Sequence, residues 1–261
     1  MTRSEYVFDN SGQQARTRFE ALAALCDPGT IRYLEERRIT EGWHCLEVGG
    51  GGGTIAAWLC ERVGPAGHVL ATDIDPRFLD SLNHRNLEVR RHDIRLDPLP
   101  ENAFDLVHAR LVLMHLPERQ SVLERLVRAL KPGGWIVAEE FDPLSFRADL
   151  ADGTAPGRLK TGIAMSQIMA GRGVDLLYGR SLYSKLNDCG LADVGTEGRV
   201  TFWRGMSSGA ALMRANFEQL RNELLESGLV SEVEFEQDLN RLGDADFVTP
   251  SPIMWAAWGR R

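Results

Sequence analysis

The sequence has few cysteines and no cluster of metal-binding residue types. Its four cysteines, Cys26, Cys45, Cys60 and Cys189, lie far apart without a CxxC pair, and its six histidines show no HxH or HxxxH spacing. Such scattered cysteines in a chain of 261 residues indicate reduced, mostly buried thiols rather than a disulfide framework. We therefore expect no bound metal.

The sequence also lacks an excess of positive charge and any long apolar run. The formal net charge is −7 and the pI is near 5.5, which gives no general attraction to nucleic-acid phosphates or anionic lipid. No stretch approaches the ~18 apolar residues of a membrane helix, and residues 1–5 do not resemble a secretory signal. We expect a cytoplasmic protein that binds neither nucleic acid nor membrane. Its oligomeric state stays open, a homodimer included.

Short apolar runs alternate with helical stretches in the first half of the chain. The predicted strands are His44–Val48, His68–Thr72, Leu87–Arg90, Phe104–His108 and Trp135–Glu139, with helical segments near 54–63, 76–84 and 117–130. This alternation predicts a parallel sheet covered on both faces. Before it, helix-type spacing over 13–37 is interrupted at Asp27-Pro28-Gly29, which predicts two helices.

The second half of the chain is less regular. A helix is predicted at Gly179–Leu186, a strand region at Leu191–Trp203, two amphipathic helices within 207–242, and a buried last strand near 252–258.

Five consecutive glycines, Gly49–Gly53, lie between the first strand and the helix after it. Glycines permit positive φ and allow a ligand to approach the backbone, and a helix N-terminus favours negative charge. Twenty residues after Gly53, Asp73 ends the second strand, where a carboxylate can accept hydrogen bonds from both ribose hydroxyls. These features do not identify one cofactor, because Gly51-x-Gly53-x-x-Ala56 also fits a dinucleotide fingerprint. A glycine-rich turn without a ligand is a further alternative.

Five segments, in the expected order, resemble motifs of the class I S-adenosylmethionine (SAM)-dependent methyltransferases. They are Glu47-x-Gly49-x-Gly51-x-Gly53, which is similar to E/DxGxGxG, then Ala71–Asp75, His92-Asp93-Ile94 with Leu99-Pro100, Phe104–Ala109 and Leu130–Trp135. The resemblance covers residues 42–141. It implies an α/β, three-layer Rossmann-like sandwich with a seven-stranded, mostly parallel sheet whose last strand is antiparallel. Beyond residue 146 the chain resembles a bacterial small-molecule branch, which carries no substrate identity.

The resemblance implies which residues hold the methionine part of SAM. Residues lining it are Gly49, Gly51 and Gly53, with Glu47 near the ammonium group. Ala109 and Arg110, just past the fourth strand, are expected beside the methionine chain or the reacting methyl group. Two alternatives stay open for Arg110: it could pair with the SAM carboxylate, or form an ion pair of purely structural purpose.

The nucleoside part of SAM is assigned in the same way. Asp73 is expected to hold the ribose, and Ile74 to press on the adenine. Asp93 is expected to accept a hydrogen bond from the adenine amino group, and the Ile94 N–H to donate one to a ring nitrogen. A turn or helix cap is the alternative for Asp93.

The reaction that the resemblance implies is an in-line displacement, for which placement of the reactants provides much of the acceleration. A hydroxyl or amine acceptor also loses a proton. Candidate bases are His115 after the fourth strand and Glu140 and Asp142 after the fifth, toward the carboxyl edge where ligands bind in such sheets. A capping or core role for His115, and a solvated loop for the acids, are the alternatives.

The acceptor is expected to be a small molecule methylated on oxygen or carbon. The Asn/Asp-Pro-Pro-Tyr/Phe motif, which resembles the signature of enzymes that methylate amino groups and nucleic-acid bases, is absent after the fourth strand. Ala109–Val112 occupies that position instead. We expect residues 1–41 to form an N-terminal helical cap and residues 42–261 the SAM-binding domain, with lid insertions near 146–175 and 207–242. A SAM-binding protein that does not methylate, and an NAD(P)-dependent oxidoreductase, are the alternative functions.

Overall fold

The computed structural model describes residues 7–8, 13–145 and 159–261. Residues 1–6 and 9–12 of the expected cap and 146–158 of the expected first insertion lie outside these described residues. The chain divides into two compact units. The first contains residues up to 25, 142–177 and 199–253, and the second contains 26–141, 178–198 and 254–261.

Strands and helices alternate along most of the described chain. The strands are β1 His44–Val48, β2 His68–Asp73, β3 Leu87–Arg91, β4 Phe104–Arg110, β5 Leu130–Asp142, β6 Ala192–Arg199, β7 Phe202–Arg204, β8 Val248–Pro250 and β9 Ile253–Arg260. The α-helices are α1 Gln13–Glu36, α2 Thr54–Val63, α3 Arg119–Ala129, α4 Lys160–Gly171, α5 Tyr178–Asp188, α6 Ser208–Gln219, α7 Arg221–Glu226 and α8 Glu232–Leu242. Two short 3₁₀-helices, Pro76–Ser81 and Leu113–His115, follow β2 and β4.

The second unit is built on a seven-stranded sheet in the order β3-β2-β1-β4-β5-β9-β6. β1 lies between β2 and β4 and is parallel to both, so that Leu46 is paired with Leu70 on one side and Val107 on the other. The sheet is mostly parallel and its last strand is antiparallel, which confirms the expected fold. Because β1, β2 and β4 are parallel, Val48, Asp73 and Arg110 all end strands at the same edge of the sheet.

The core of this unit is the apolar layer between sheet and helices. Tyr33 and Leu34 of α1 and Leu59 of α2 are completely buried in one cluster with Leu106 of β4 and Val137 of β5. Central strands of a parallel sheet are covered on both faces, which explains their short, nearly continuous apolar runs.

The prediction of two helices before the sheet is wrong, because α1 runs unbroken from Gln13 to Glu36 with Pro28 inside it. A proline inside a helix removes one hydrogen bond and costs about 3 kcal/mol. Residues just after Pro28 offset this cost by burial: Thr30, Tyr33 and Leu34 are all fully buried. Tertiary packing therefore overrides the local signal.

Other elements also differ from the prediction. The segment at 76–84 forms a 3₁₀-helix over Pro76–Ser81, and residues 207–242 contain three helices rather than two. β5 begins at Leu130 rather than Trp135, since Leu130 already pairs with Phe104 ahead of a register shift.

The first unit contains helices α4, α6, α7 and α8 and the antiparallel pair β7–β8. The α8 residue Asp238 accepts a 2.7 Å hydrogen bond from the Thr161 N–H in the first turn of α4, and Ser231 and Glu234 form a capping box at the start of α8. Within residues 7–8, 13–145 and 159–261, no helix has the length and apolar character needed to span a membrane.

Candidate active site

The glycine loop between β1 and α2 adopts a conformation that requires glycine. Gly49, Gly51 and Gly53 have φ angles of 65°, 51° and 83°. A Cβ on Gly49 would lie 2.5 Å from Val112 Cγ2, and one on Gly53 would lie 2.8 Å from Leu82 Cδ1. Both the backbone angles and the neighbouring side chains therefore exclude larger residues at these two positions.

Asp73 at the end of β2 is bonded directly to this loop. Its Oδ2 accepts a 3.0 Å hydrogen bond from the Gly51 N–H, and its Oδ1 accepts one of 2.9 Å from the Asp75 N–H. Burial raises the pKa of Asp73, although these backbone hydrogen bonds oppose the rise. The adjacent Ile74 side chain is 42% exposed, which leaves an apolar surface beside the carboxylate.

The segment expected to contact adenine is held by two arginines. Arg95 pairs with both carboxylate oxygens of Asp93, at 3.0 Å from Nε to Oδ1 and 2.8 Å from Nη2 to Oδ2. Arg125 on α3 donates to the backbone carbonyl oxygens of Ile94, Asp97 and Arg95 at 2.9, 3.1 and 3.0 Å. One guanidinium group therefore fixes the backbone path of the segment.

A buried histidine joins β1, β4 and β5 beneath the loop. His108 Nδ1 lies 2.6 Å from Glu47 Oε2, and His108 Nε2 lies 3.3 Å from Glu139 Oε1. Burial alone would lower the pKa of His108, but the two carboxylates outweigh it and raise this pKa to about 9. Burial would likewise raise the pKa of Glu139, yet His108, Arg110 and Thr30 lower it. At neutral pH the group is an imidazolium between two carboxylates.

Arg110 extends this network to α1. Its Nη1 donates to Thr30 Oγ1 at 2.8 Å and its Nη2 to Asp27 Oδ1 at 2.9 Å, while Thr30 Oγ1 donates to Glu139 Oε1 at 2.6 Å. Arg110 thus forms the ion pair that the sequence left as one of its two alternatives. Ala109 beside it is completely buried.

The three candidate bases are placed very differently. His115 is half-buried at the end of the 3₁₀-helix after β4. Glu140 is completely buried, and its Oε1 accepts hydrogen bonds from the N–H groups of residues 112, 113 and 114. Asp142 is also completely buried and belongs to the other compact unit, where its Oδ1 accepts from the N–H groups of Leu144 and Ser145.

Residues 46–138 match a protein-family model described as a methyltransferase domain. This segment contains the glycine loop, Asp73, residues 93–97 and most of the sheet. Through it, the chain contains a segment similar to methyltransferase domains, on the Rossmann-like α/β fold of such enzymes.

Curated relatives support this assignment over the same region. The chain is 34% identical over 148 residues to methyltransferase str2 of Strobilurus tenacellus, a match covering 52% of the chain and 49% of that protein. It is 31% identical over 116 residues to the ubiquinone/menaquinone biosynthesis C-methyltransferase UbiE of Pseudomonas fluorescens, covering 41% of the chain and 45% of that protein. The chain thus spans about half the length of the curated relatives it matches.

A solved structure shares the fold of this chain. A SAM-dependent methyltransferase from Aquifex aeolicus superposes with a TM-score of 0.50 at 22% identity, covering 73% of this chain and 93% of that one.

Two parts of the candidate site were not anticipated from the sequence. Arg125 lies about 30 residues after the carbonyl groups it binds, so that only the pairing of α3 with the adenine segment reveals it. The sequence did not indicate the two carboxylate partners of His108, which come from neighbouring strands. Within the part of the chain that the structure describes, no group of three or more His, Cys, Asp or Glu residues could hold a metal ion.

Proposed function

We propose that this chain transfers the methyl group of SAM to an oxygen or carbon atom of a small-molecule acceptor. One observation carries the proposal: the glycine loop and the Asp73 carboxylate meet at the edge where β1 and β2 end, joined by the 3.0 Å bond from Gly51 N to Asp73 Oδ2. A backbone that a ligand can approach and a carboxylate suited to two ribose hydroxyls are thereby brought together.

The surroundings of this junction fit an adenosyl ligand. The backbone of residues 49–52 is partly exposed, and the exposed Ile74 offers an apolar contact for a planar base. When bound, SAM supplies an electrophilic methyl group on a sulfonium. We assign the ribose to Asp73 and the adenine to Ile74, Asp93 and Ile94.

The methionine part of SAM is assigned to the loop and to the ends of β1 and β4. The residues assigned to it are Glu47, Gly49, Gly51, Gly53, Ala109 and Arg110. The acidic partner of the ammonium group would be Glu47, whose charge is compensated from behind by His108. Arg110 would act from its present ion pair with Asp27.

His115 is the residue we propose as the base for a hydroxyl acceptor. A base must come within hydrogen-bond reach of the proton it removes. Glu140 and Asp142 are completely buried and hold backbone N–H groups, whereas His115 is partly exposed beside the end of β4. A carbon acceptor that is already deprotonated needs no base, so His115→Gln would slow only the methylation of a protonated acceptor.

The nature of the acceptor is supported by the relatives and by one local sequence. UbiE is named as a C-methyltransferase of ubiquinone/menaquinone biosynthesis, which supports a small organic acceptor methylated on carbon or oxygen. Ala109–Val112 occupies the position of the Asn/Asp-Pro-Pro-Tyr/Phe motif, which resembles the signature of enzymes that methylate amino groups. We further propose that residues of the expected insertions cover the acceptor. Hydrogen-exchange protection of residues 207–242 by cofactor and acceptor tests this.

Calorimetric titration of Asp73→Ala with SAM and with S-adenosylhomocysteine (SAH), the demethylated product, tests the cofactor assignment. Loss of a charged hydrogen-bond acceptor costs about 1.5–3 kcal/mol, which corresponds to at least about a tenfold weaker Kd. Asp75→Ala is the matched control, because it removes a nearby carboxylate and keeps the N–H group that Asp73 binds. Equal affinity of the wild type and Asp73→Ala would contradict the assignment. Binding of SAM without methyl transfer to any acceptor would favour the non-methylating alternative.

A further inference from the structure

The turn that follows β4 holds a residue in an unfavourable backbone conformation. Leu111 has a φ of 58°, a left-handed conformation that costs a residue with a Cβ about 1–2 kcal/mol. Its N–H donates a 2.8 Å hydrogen bond to the carbonyl oxygen of Glu139 on β5. Such a conformation persists only where the surrounding structure holds it in place.

Glu140 provides the strongest of these restraints. Its Oε1 accepts from three consecutive backbone N–H groups, at 3.2 Å from Val112, 2.7 Å from Leu113 and 3.3 Å from Met114. The side chain is completely buried. Three donors that would otherwise be buried without a partner therefore converge on a single oxygen atom.

The same turn lies against the glycine loop. Val112 Cγ2 is 2.5 Å from the point where a Cβ of Gly49 would lie, so the Val112 side chain fills the space that glycine leaves. A displacement of Val112 therefore removes the support of the loop at Gly49. Because interiors are close-packed, such a change is transmitted to the neighbouring backbone.

We infer that Glu140 is a positioning residue for the SAM site, which fixes the turn at 111–114 through Oε1 and, through Val112, the position of Gly49. This inference rests on the proposed function, since it takes the glycine loop to bind SAM. It gives Glu140 a role different from that of a base, because the group acts on the backbone and not on the acceptor.

Glutamine is a close substitute for Glu140, because its side chain also ends in an oxygen that accepts hydrogen bonds. Burial raises the pKa of Glu140 to about 8, against the opposing effect of the three N–H donors. A glutamine carbonyl oxygen can accept the same three hydrogen bonds in nearly the same shape. Alanine removes the acceptor altogether.

The test compares Glu140→Gln and Glu140→Ala at pH 7, with and without formate. We expect Glu140→Gln to keep the SAH Kd and the kcat within about threefold of the wild type, and Glu140→Ala to weaken SAH binding at least about tenfold. Formate can enter the space left by the truncated side chain and accept from the three N–H groups. It should restore most of the affinity of Glu140→Ala, while chloride at equal ionic strength should not, and neither salt should affect the wild type.

Several results would overturn the inference. One is an unchanged SAH affinity in Glu140→Ala, and another is a folded Glu140→Ala whose affinity formate does not restore. A third is a Glu140→Gln variant that binds SAH normally but has lost kcat, which would indicate that Glu140 transfers a proton. If Glu140→Ala does not fold, the affinity and kcat of Glu140→Gln decide alone. Failure of the wild type itself to bind SAH would refute the proposed function and, with it, this inference. That outcome differs from failure of the inference alone, because it appears without any mutation.

Discussion

Raising the pH above about 9 removes the positive charge that lies between Glu47 and Glu139. The pKa of His108 is raised from its ordinary 6.5 to about 9 by these two carboxylates. Because the folded state binds this proton more tightly than the unfolded state, the stabilisation is complete below pH 6.5 and is lost as the pH rises through about 9. The difference corresponds to about 3 kcal/mol of the free energy of unfolding.

Two measurements test this value. The imidazole resonances of His108, assigned by comparison with His108→Gln, should titrate near pH 9 in the folded protein. Urea unfolding between pH 6.5 and about 10 should show a loss about 3 kcal/mol larger than in His108→Gln. The comparison is needed because burial raises the pKa of the Cys45 and Cys60 thiols, so that stability is lost above about pH 9 in both proteins. Both should be measured in the Glu140→Gln background, because Glu140 also has a pKa raised by burial, to about 8, and would add its own loss of stability over pH 4.5–8.

One outcome would refute the electrostatic account of the network. If the His108 resonance titrates at or below pH 6.5, desolvation has outweighed the carboxylates, and His108 is a neutral hydrogen-bonding residue. The contact with Glu47 would then hold the loop by geometry alone, without compensating its charge.

Two further predictions concern the loop and the adenine segment. Gly49→Ala should cost about 1–3 kcal/mol of stability and weaken SAH binding at least about tenfold, because its Cβ meets Val112. The matched control is Gly133→Ala, where φ is also positive but no atom lies within 4 Å of the new Cβ. Equal losses of SAH affinity in the two variants would contradict the packing argument. Arg125→Lys keeps the charge but not the planar fork that reaches three carbonyl groups, so the SAH Kd should rise several-fold with kcat unchanged at saturation. The control is Arg128→Lys on the same helix, where the arginine pairs with an exposed Glu101; this variant should bind SAH normally. A fall in kcat without a change in Kd for Arg125→Lys would refute the positioning role of Arg125.

The strands and loops of the sheet could be predicted from the sequence because their signals are local. β1 and α2 have the predicted bounds, and β2 and β3 differ by a single residue, since short apolar runs and a glycine cluster are visible within a few residues. The helix at Pro28 could not be predicted in this way. Its continuity depends on Thr30 and Tyr33, whose partners lie far away in the sequence.

The sequence predicted which polar residues belong to the site, but not which groups they hydrogen-bond. Successive residues of a strand point to opposite faces, and Glu139 and Glu140 accordingly have different partners. Glu139 contacts His108 and Thr30, whereas Glu140 binds the N–H groups of residues 112–114. Nothing in the sequence around Glu140 indicates three N–H groups from a turn 26–28 residues earlier. A side chain that binds backbone groups far away in the sequence leaves no local sequence motif from which this contact could be predicted.

The most direct test of the account is a calorimetric titration of the wild-type protein with SAH and, side by side, with NADH. The glycine loop, the Asp73 carboxylate and the similarity of residues 46–138 to methyltransferase domains predict micromolar binding of SAH and no comparable binding of NADH. Absence of SAH binding, or a clear preference for NADH, would contradict the central claim and would favour a nicotinamide-dependent oxidoreductase.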